Sequence, residues 1–354
     1  MKVAIVGAGI VGRLTALQLI NVGVKVTLFE KHPLIAPVNA AHVSAGMLCP
    51  LGEIIHAPQS IIDMGMWGLS QWPKLLSLLK SLDPEHQSVF FQANGSLVVA
   101  FESDQQCFEQ FRYDLKHKAS AYADNIHWLS QDNLHALEPC LTNFKQASLI
   151  DLEAQLCNRS FLSSSARALT VHSEIFDDEE LSVKKISSLS HSYDWVVDAR
   201  GAMAVGKEHH SSKSNPLRGV RGEVIRIECP EVKLSRPIRV LHPRHPIYIV
   251  PKPNGEFVIG ATEIESNSEH NITVRSTLEL LNTLYSVNPA FSEARILEAN
   301  IGIRAAYFDN EPRMSIKNNI IVANGLYRHG WLVGPALVEQ VLTSILGTPN
   351  DHIH

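Results

Sequence analysis

The sequence predicts an α/β chain, α+β overall, in which a parallel sheet and an antiparallel sheet are built from interleaved segments. Three observations carry this. The first thirty residues run apolar strand, glycine-rich turn, helix and second strand. Residues 219–228, 246–251 and 256–262 are strand-like runs, the last two joined by the turn Pro253-Asn254-Gly255. Two more apolar strands, 194–201 and 319–325, close on glycine far from the N-terminus. An antiparallel hairpin has no place inside a parallel unit, so both kinds of sheet are needed.

The opening segment is the most informative. Residues 2–6, KVAIV, are apolar and β-branched and suit a buried parallel strand. Gly7-Ala8-Gly9-Ile10-Val11-Gly12 follows and fits GxGxxG. Gly7 permits the tight turn, Gly9 lets backbone N–H groups approach a pyrophosphate, and Gly12 allows close helix–strand packing. Leu14, Ala16, Leu17 and Leu19 give the next helix its apolar face, and Gly23 ends it. The second strand, 24–29, leads into Glu30, 18 residues beyond Gly12. A carboxylate there accepts hydrogen bonds from a ribose 2′-OH and disfavours a 2′-phosphate. The segment predicts a Rossmann-like dinucleotide site that includes Ile10, Val11 and Lys31.

Composition narrows the alternatives. A chain of 354 residues has room for about two domains. Hydrophobic residues at 45% and charged residues at 19% exclude disorder as the main state. A net charge of −5, with no Lys/Arg-rich run, carries no signal for nucleic acid. Five cysteines without a CxxC pair argue against a disulfide framework or zinc knuckle. No HxxxH or HExxH pair occurs among the 17 histidines, so no metal site is expected. The longest apolar stretches fall short of the ~20 residues that span a bilayer. The N-terminus leads straight into the glycine motif and reads as mature protein. With reduced cysteines, this makes the cytoplasm the expected location.

Seven segments together resemble a known family. They are GAGIVG (7–12), SAGML (44–48), QANGSLVVA (92–100), LRGVRGEVIRI (217–227), IYIVPKPNGEFVIGATE (247–263), GIRAAYFDNEP (302–312) and NGLYRHGWLVGPALV (324–338). In order and spacing the chain resembles the D-amino-acid oxidase superfamily of FAD enzymes, most of all its glycine oxidase branch, which includes the oxidase of thiamine biosynthesis. The resemblance implies a two-dinucleotide-binding FAD domain from residues 1–85, 145–217 and 300–354, holding FAD non-covalently. Residues 86–144 and 218–299 would form an interleaved antiparallel-sheet substrate domain, with amphipathic helices over 102–118 and 273–287. The strand 194–201, with Ala199 and Gly201, would return the chain to FAD. The strand at 319–325 and a helix over 335–346 would cap the flavin ring.

What the resemblance implies for the site follows from flavin chemistry. The cofactor carries the redox step, and the protein orients the substrate. An amino acid offers a carboxylate, which a planar guanidinium binds through two parallel hydrogen bonds. Arg304 matches the carboxylate-binding arginine, although Ala305 stands where the motif continues with proline; Asp309 and Pro312 keep its DxxP pattern. Arg328 matches a second arginine near the mouth, and Tyr248 a tyrosine that hydrogen-bonds substrate. Met47 would lie beside the ring, after Ala45 and Gly46, and the Ile175 backbone near adenine. The backbone around His329, Gly330, Trp331 and Leu332 would face the flavin, its N–H groups able to stabilise negative charge there. Three further residues depart from the pattern, and with Ala305 they leave room for a protein substrate. Glu263 could attract an ammonium group, His42 could contact FAD or offer a covalent attachment, and Trp331 could narrow the pocket. The implied activity is oxidation of the C–N bond of a small amino acid or amine, with reoxidation by O2 to H2O2. A dehydrogenase using another acceptor and a flavoprotein that modifies a residue of a partner protein remain alternatives. Homo-oligomerisation stays open.

Overall fold

A computed structural model describes residues 1–55, 57–207 and 216–347. The polar stretch 209–215 and the terminal DHIH lie outside the described residues. Strands β1 to β9 are Lys2–Val6, Lys25–Phe29, Met47–Leu48, Phe91–Gln92, Ser96–Ala100, Ile126–Ser130, Gln146–Ile150, Ala154–Leu156 and Glu174–Phe176. Strands β10 to β18 are Trp195–Asp198, Arg218–Glu228, Ile238–Leu241, Ile247–Pro251, Glu256–Gly260, Ile264–Glu265, Arg295–Ala306, Arg313–Lys317 and Ile320–Asn324. Helices α1 to α9 are Ile10–Asn21, Ala40–Val43, Gln59–Leu82, Gln105–Lys118, Gln131–Leu137, Asn158–His172, Val183–Leu189, Val274–Val287 and Gly330–Leu346.

Residues 2–29, 174–198 and 313–324 build a six-stranded sheet in the order β17-β18-β10-β1-β2-β9. It is parallel except for the edge strand β17. Side chains of β1 alternate between two cores, as strand geometry requires. Val3 and Ile5 join the large cluster under α1, α3, α6 and α9, while Ala4 and Val6 meet Ile186 of α7 on the other face.

The second sheet has nine strands, in the order β15-β11-β14-β13-β12-β5-β7-β6 with β16 along the free side of β11. The β13–β14 hairpin stands where the sequence places it, turning over Pro253–Gly255. Its second strand stops at Gly260, short of the expected 262. The expected helices are α4, after a 3-10 turn over Glu102–Asp104, and α8. Phe108, Phe111 and Leu115 of α4 cover one face, and Leu280, Leu284 and Val287 of α8 cover the other. Two strands cross the expected segment boundaries: β7 and all of β16 pair within this sheet, although residues from 145 and from 300 were assigned to the other segments.

The C-terminal helix corrects the sequence reading most clearly. It begins at Gly330, five residues before the expected 335, and Pro335 lies inside it. A proline there leaves the carbonyl four residues earlier without its helical donor. That carbonyl belongs to Trp331, and the Trp72 indole N–H of α3 donates to it at 3.0 Å. The two helices are close because α3 carries Gly65 and Gly68. A Cβ on Gly68 would collide with the Leu332 carbonyl oxygen, and one on Gly65 would come within 3.0 Å of the Leu332 side chain.

Gly68→Ala is therefore expected to lower Tm. Overpacking against a backbone atom costs about 1–3 kcal/mol, which outweighs a helix-propensity gain of about 1 kcal/mol. Gly65→Ala, which meets only side chains, should be milder. Thermal melts of both variants test this; a rise in Tm for Gly68→Ala would show that the contact does not hold the helices in place.

Candidate active site

The two sheets enclose a cavity of about 1160 Å3. Its dinucleotide end lies where β1, β2, β10 and β18 run out. Gly7 has φ +102°, and a Cβ there would lie 2.5 Å from the Ala199 carbonyl oxygen. A Cβ on Gly12 would overlap the Gly7 carbonyl oxygen, so glycine alone lets α1 approach the strand. Gly9 behaves differently: nothing stands within 4 Å of its would-be Cβ, which would project into the open cavity. Beyond it lie the unpaired N–H groups at the start of α1, a natural anion site. The Glu30 carboxylate is held at the rim by the backbone N–H groups of Ala8, Lys31 and His32. A glycine cradle, a helix N-terminus and a rim carboxylate fit an adenine dinucleotide.

Most of the residues singled out in the sequence meet here. Gly7, Gly9, Ile10, Val11, Glu30, Lys31, Ala45, Gly46, Met47, Ala199, Gly201, Gly330, Trp331 and Leu332 all line the cavity. Three do not. Gly12 faces β1. Ile175 pairs with Leu28 inside the sheet. His42 turns away toward Arg159, Arg226 and Glu298, and burial, with the two guanidiniums, lowers its pKa. Its place in a one-turn helix capped by Asn39 sets that direction, so its side chain is not offered to a flavin. Trp331 is also packed otherwise than expected: its indole sits between Trp72 and Phe161, and its N–H donates to Ser44 Oγ at 2.7 Å. Its bulk belongs to the hydrophobic core.

The other end is lined by Tyr248, Glu263, Arg304, Arg328 and His329. Arg304 lies on β16 opposite Val220, two positions along β11 from a glycine with a clear purpose. A Cβ on Gly222 would fall on the Arg304 guanidinium. That guanidinium donates from Nη1 to the Thr262 carbonyl at 3.1 Å and makes no ion pair among the described residues. Burial lowers its pKa from the usual arginine value. Tyr248, on β13, lies between Arg239 and Gly260 of the neighbouring strands. Burial raises its pKa, so the phenol stays protonated.

Sequence reasoning missed the carboxylate that organises this end. Glu53 is buried, meets Arg239 Nη2 at 2.5 Å and lies 3.2 Å from Arg328 Nη2. Burial alone would raise its pKa, but Arg239 and Arg328 hold it well below the usual carboxylate range. The available signal was an acid inside the apolar run MLCPLGEII. Arg328 also reaches Glu263 at 3.2 Å, and Tyr327 hydrogen-bonds Glu263. His329 is buried beside Glu53, and desolvation lowers its pKa to about 4, so the imidazole is neutral near pH 7.

Among the described residues, no group of three or more His, Cys, Asp or Glu is placed to hold a metal ion. No helix there is long and apolar enough to cross a membrane.

Residues 2–341 match a family model described as FAD dependent oxidoreductase. The chain is 36% identical over 349 residues to the protein of Rhizobium etli named "Putative thiamine biosynthesis oxidoreductase ThiO", covering 98% of this chain and 97% of that one. It is 25% identical over 364 residues to the glycine oxidase of Bacillus licheniformis, covering 98% and 93%. In fold it is similar to the glycine oxidase structure from Bacillus cereus, with TM-score 0.82, 21% identity and coverage of 99% and 98%. It is also similar to the iminodiacetate oxidase structure from Chelativorans, with TM-score 0.79, 20% identity and coverage of 98% and 96%.

His329 generates a pH prediction. Its folded pKa, about 4, lies below the ordinary 6.5, so the unfolded chain takes up the proton first. Stability is full above pH 6.5 and declines as pH falls toward 4, by about 3 kcal/mol in all at 1.36 kcal/mol per pKa unit. In His329→Asn, the loss of unfolding free energy between pH 7 and pH 4.5 should shrink by roughly 1–3 kcal/mol. Denaturant titrations at the two pH values measure it; parallel losses in both proteins would place the proton elsewhere.

Proposed function

The chain belongs to the FAD-dependent oxidoreductase family, and we propose that it oxidises the C–N bond of a small amino acid or amine to an imine, with dioxygen as the electron acceptor. The observation that carries this reading is Arg304, a guanidinium that faces the cavity and has no ion-pair partner among the described residues. At the substrate end Arg239 and Arg328 share Glu53, Arg328 also reaches Glu263, and Arg304 is the guanidinium of the three that makes no ion pair among the described residues. A substrate carboxylate can pair with it.

FAD, when bound, supplies the hydride acceptor. The Gly9 cradle and the α1 N-terminus would hold its pyrophosphate, and Glu30 its ribose. At the start of α9 the His329 and Leu332 N–H groups already donate to the Leu326 and His329 carbonyls, so of the four residues expected to face the flavin it is Gly330 and Trp331 whose N–H groups can stabilise negative charge at the cavity wall. Arg304 takes the substrate carboxylate through a planar fork, and the protonated Tyr248 hydroxyl closes on it from β13, beyond β11 and β14 in the same sheet. Glu263, exposed at the mouth, attracts the ammonium form of an amine as it enters. The names of the relatives, glycine oxidase among them, support the same reaction class. Two of the departures that left room for a protein substrate, His42 and Trp331, point away from the substrate end.

Anaerobic mixing of the yellow holoprotein with a panel of amines and amino acids identifies the electron donor by flavin bleaching. Admission of air then tests oxygen: prompt recolouring is expected, and a flavin that stays bleached would show another acceptor. For an amino acid found this way, Arg304→Ala should lose about 30- to 4,000-fold in kcat/KM, because breaking a desolvated charge pair costs about 2–5 kcal/mol. Arg304→Lys should recover only part of this, since an ammonium lacks the fork. Near-normal kcat/KM in Arg304→Ala would remove the clamp from the mechanism.

Glu263→Gln keeps the size and removes the charge at the mouth. It should weaken selection for cationic amines, raising their KM relative to neutral analogues by about 2- to 5-fold, the scale of a partly exposed charge interaction. Identical KM values for both proteins across the panel would make Glu263 irrelevant to selectivity.

A further inference from the structure

We infer that Glu223 is a positioning residue for Arg304, acting through Thr262 from the far side of the large sheet; this rests on the reading of Arg304 as the carboxylate clamp. Glu223 is fully buried on β11 and does not line the cavity. Its neighbour Gly222 faces the Arg304 guanidinium, and strand alternation sends the Glu223 side chain the other way.

The contacts converge on one residue. Thr262 Oγ1 donates to Glu223 Oε2 at 2.9 Å and accepts the Glu223 backbone N–H at 2.9 Å. The Thr262 N–H donates to the Glu223 carbonyl at 3.3 Å. Thr262 is thus tied to Glu223 by three hydrogen bonds, and its own carbonyl accepts Arg304 Nη1. That carbonyl is the hydrogen-bond acceptor that sets where the guanidinium points. The other carboxylate oxygen, Oε1, accepts from Arg221 Nε at 2.9 Å and Nη2 at 2.6 Å. Arg221 continues to the carbonyls of Ser268 and Asn271, and Ser276 of α8 also hydrogen-bonds Glu223.

A buried ion pair is weak as a source of stability, since apolar residues of similar volume often do as well. What this one supplies is direction. Glu223 fixes the turn after β14 on one side, and the paired Arg221 fixes the loop at 268–271 on the other. Glu263 follows Thr262 in the same turn, so the network also sets the height of the mouth carboxylate.

The test compares Glu223→Gln, Thr262→Val, Thr262→Ser and Arg304→Ala as FAD-loaded proteins, with the double variant Glu223→Gln/Arg304→Ala. The probes are the amino acid found by bleaching and glycolate, a carboxylate without an amine, whose binding is read from the flavin spectrum. Glu223→Gln and Thr262→Val should each raise KM and the glycolate Kd about 5- to 50-fold, the scale of coupling within a hydrogen-bonded network. Saturating kcat and FAD retention should stay within about threefold, and Thr262→Ser should restore most of the affinity. In the Arg304→Ala background Glu223→Gln should add nothing. An undiminished effect of Glu223→Gln in that background, or unchanged glycolate binding in both Glu223→Gln and Thr262→Val, overturns the inference while Arg304 keeps its role. Unchanged glycolate binding in Arg304→Ala itself instead overturns the clamp, and the positioning role falls with it.

Discussion

A guanidinium walled into a cavity, with no ion-pair partner among the described residues, is the constraint around which the substrate end is arranged. Desolvating a charge is costly unless it is paired or hydrogen-bonded. Arg304 receives one carbonyl, from Thr262, and the space left by a missing side chain at Gly222. The neighbouring cations are treated differently. Arg239 and Arg328 share Glu53, and Arg328 also reaches Glu263. Of the three guanidiniums, Arg304 is thus the one left for an incoming anion to pair with.

The opposite wall is set by apolar packing. The N-terminus of α9 is fixed by Trp72, by Gly65 and Gly68 beneath it, and by Trp331 clamped between Trp72 and Phe161. The loop that enters the helix carries Tyr327 at φ +51°, a left-handed conformation uncommon for a tyrosine. Its N–H donates to the Ala305 carbonyl at 2.9 Å and its hydroxyl engages Glu263. One strained residue thus joins the helix to the strand that bears Arg304.

Local chemistry was legible in the sequence, and distant pairing was not. The turn at Gly7–Gly12 and the hairpin at Pro253–Gly255 each depend on residues adjacent in the chain, and both stand where they were placed. Pro335 misled because proline commonly opens a helix; only Trp72, far away in sequence, makes it tolerable six positions in. Glu53 stands out in the sequence only as an acid in an apolar run, because Arg239 and Arg328, which give it a purpose, are 186 and 275 positions away. His42 failed for a subtler reason: the segment was aligned correctly with the cavity, since Ala41 and Val43 line it, but the side chain between them points outward.

The strand order has a consequence for how the protein is made. The central strand β1 is made before the strands beside it, yet one of its neighbours is β10, and that strand in turn awaits β18. The helix that covers α1 ends at Leu346. A nascent chain therefore carries the apolar surface of α1 without its α9 cover until Leu346 has been made. Contacts of such sequence separation form slowly and leave sticky surface exposed meanwhile. The β13–β14 hairpin in the middle of the chain can close as it appears, so the order of folding departs from chain order: the sheet begun first is the one finished last.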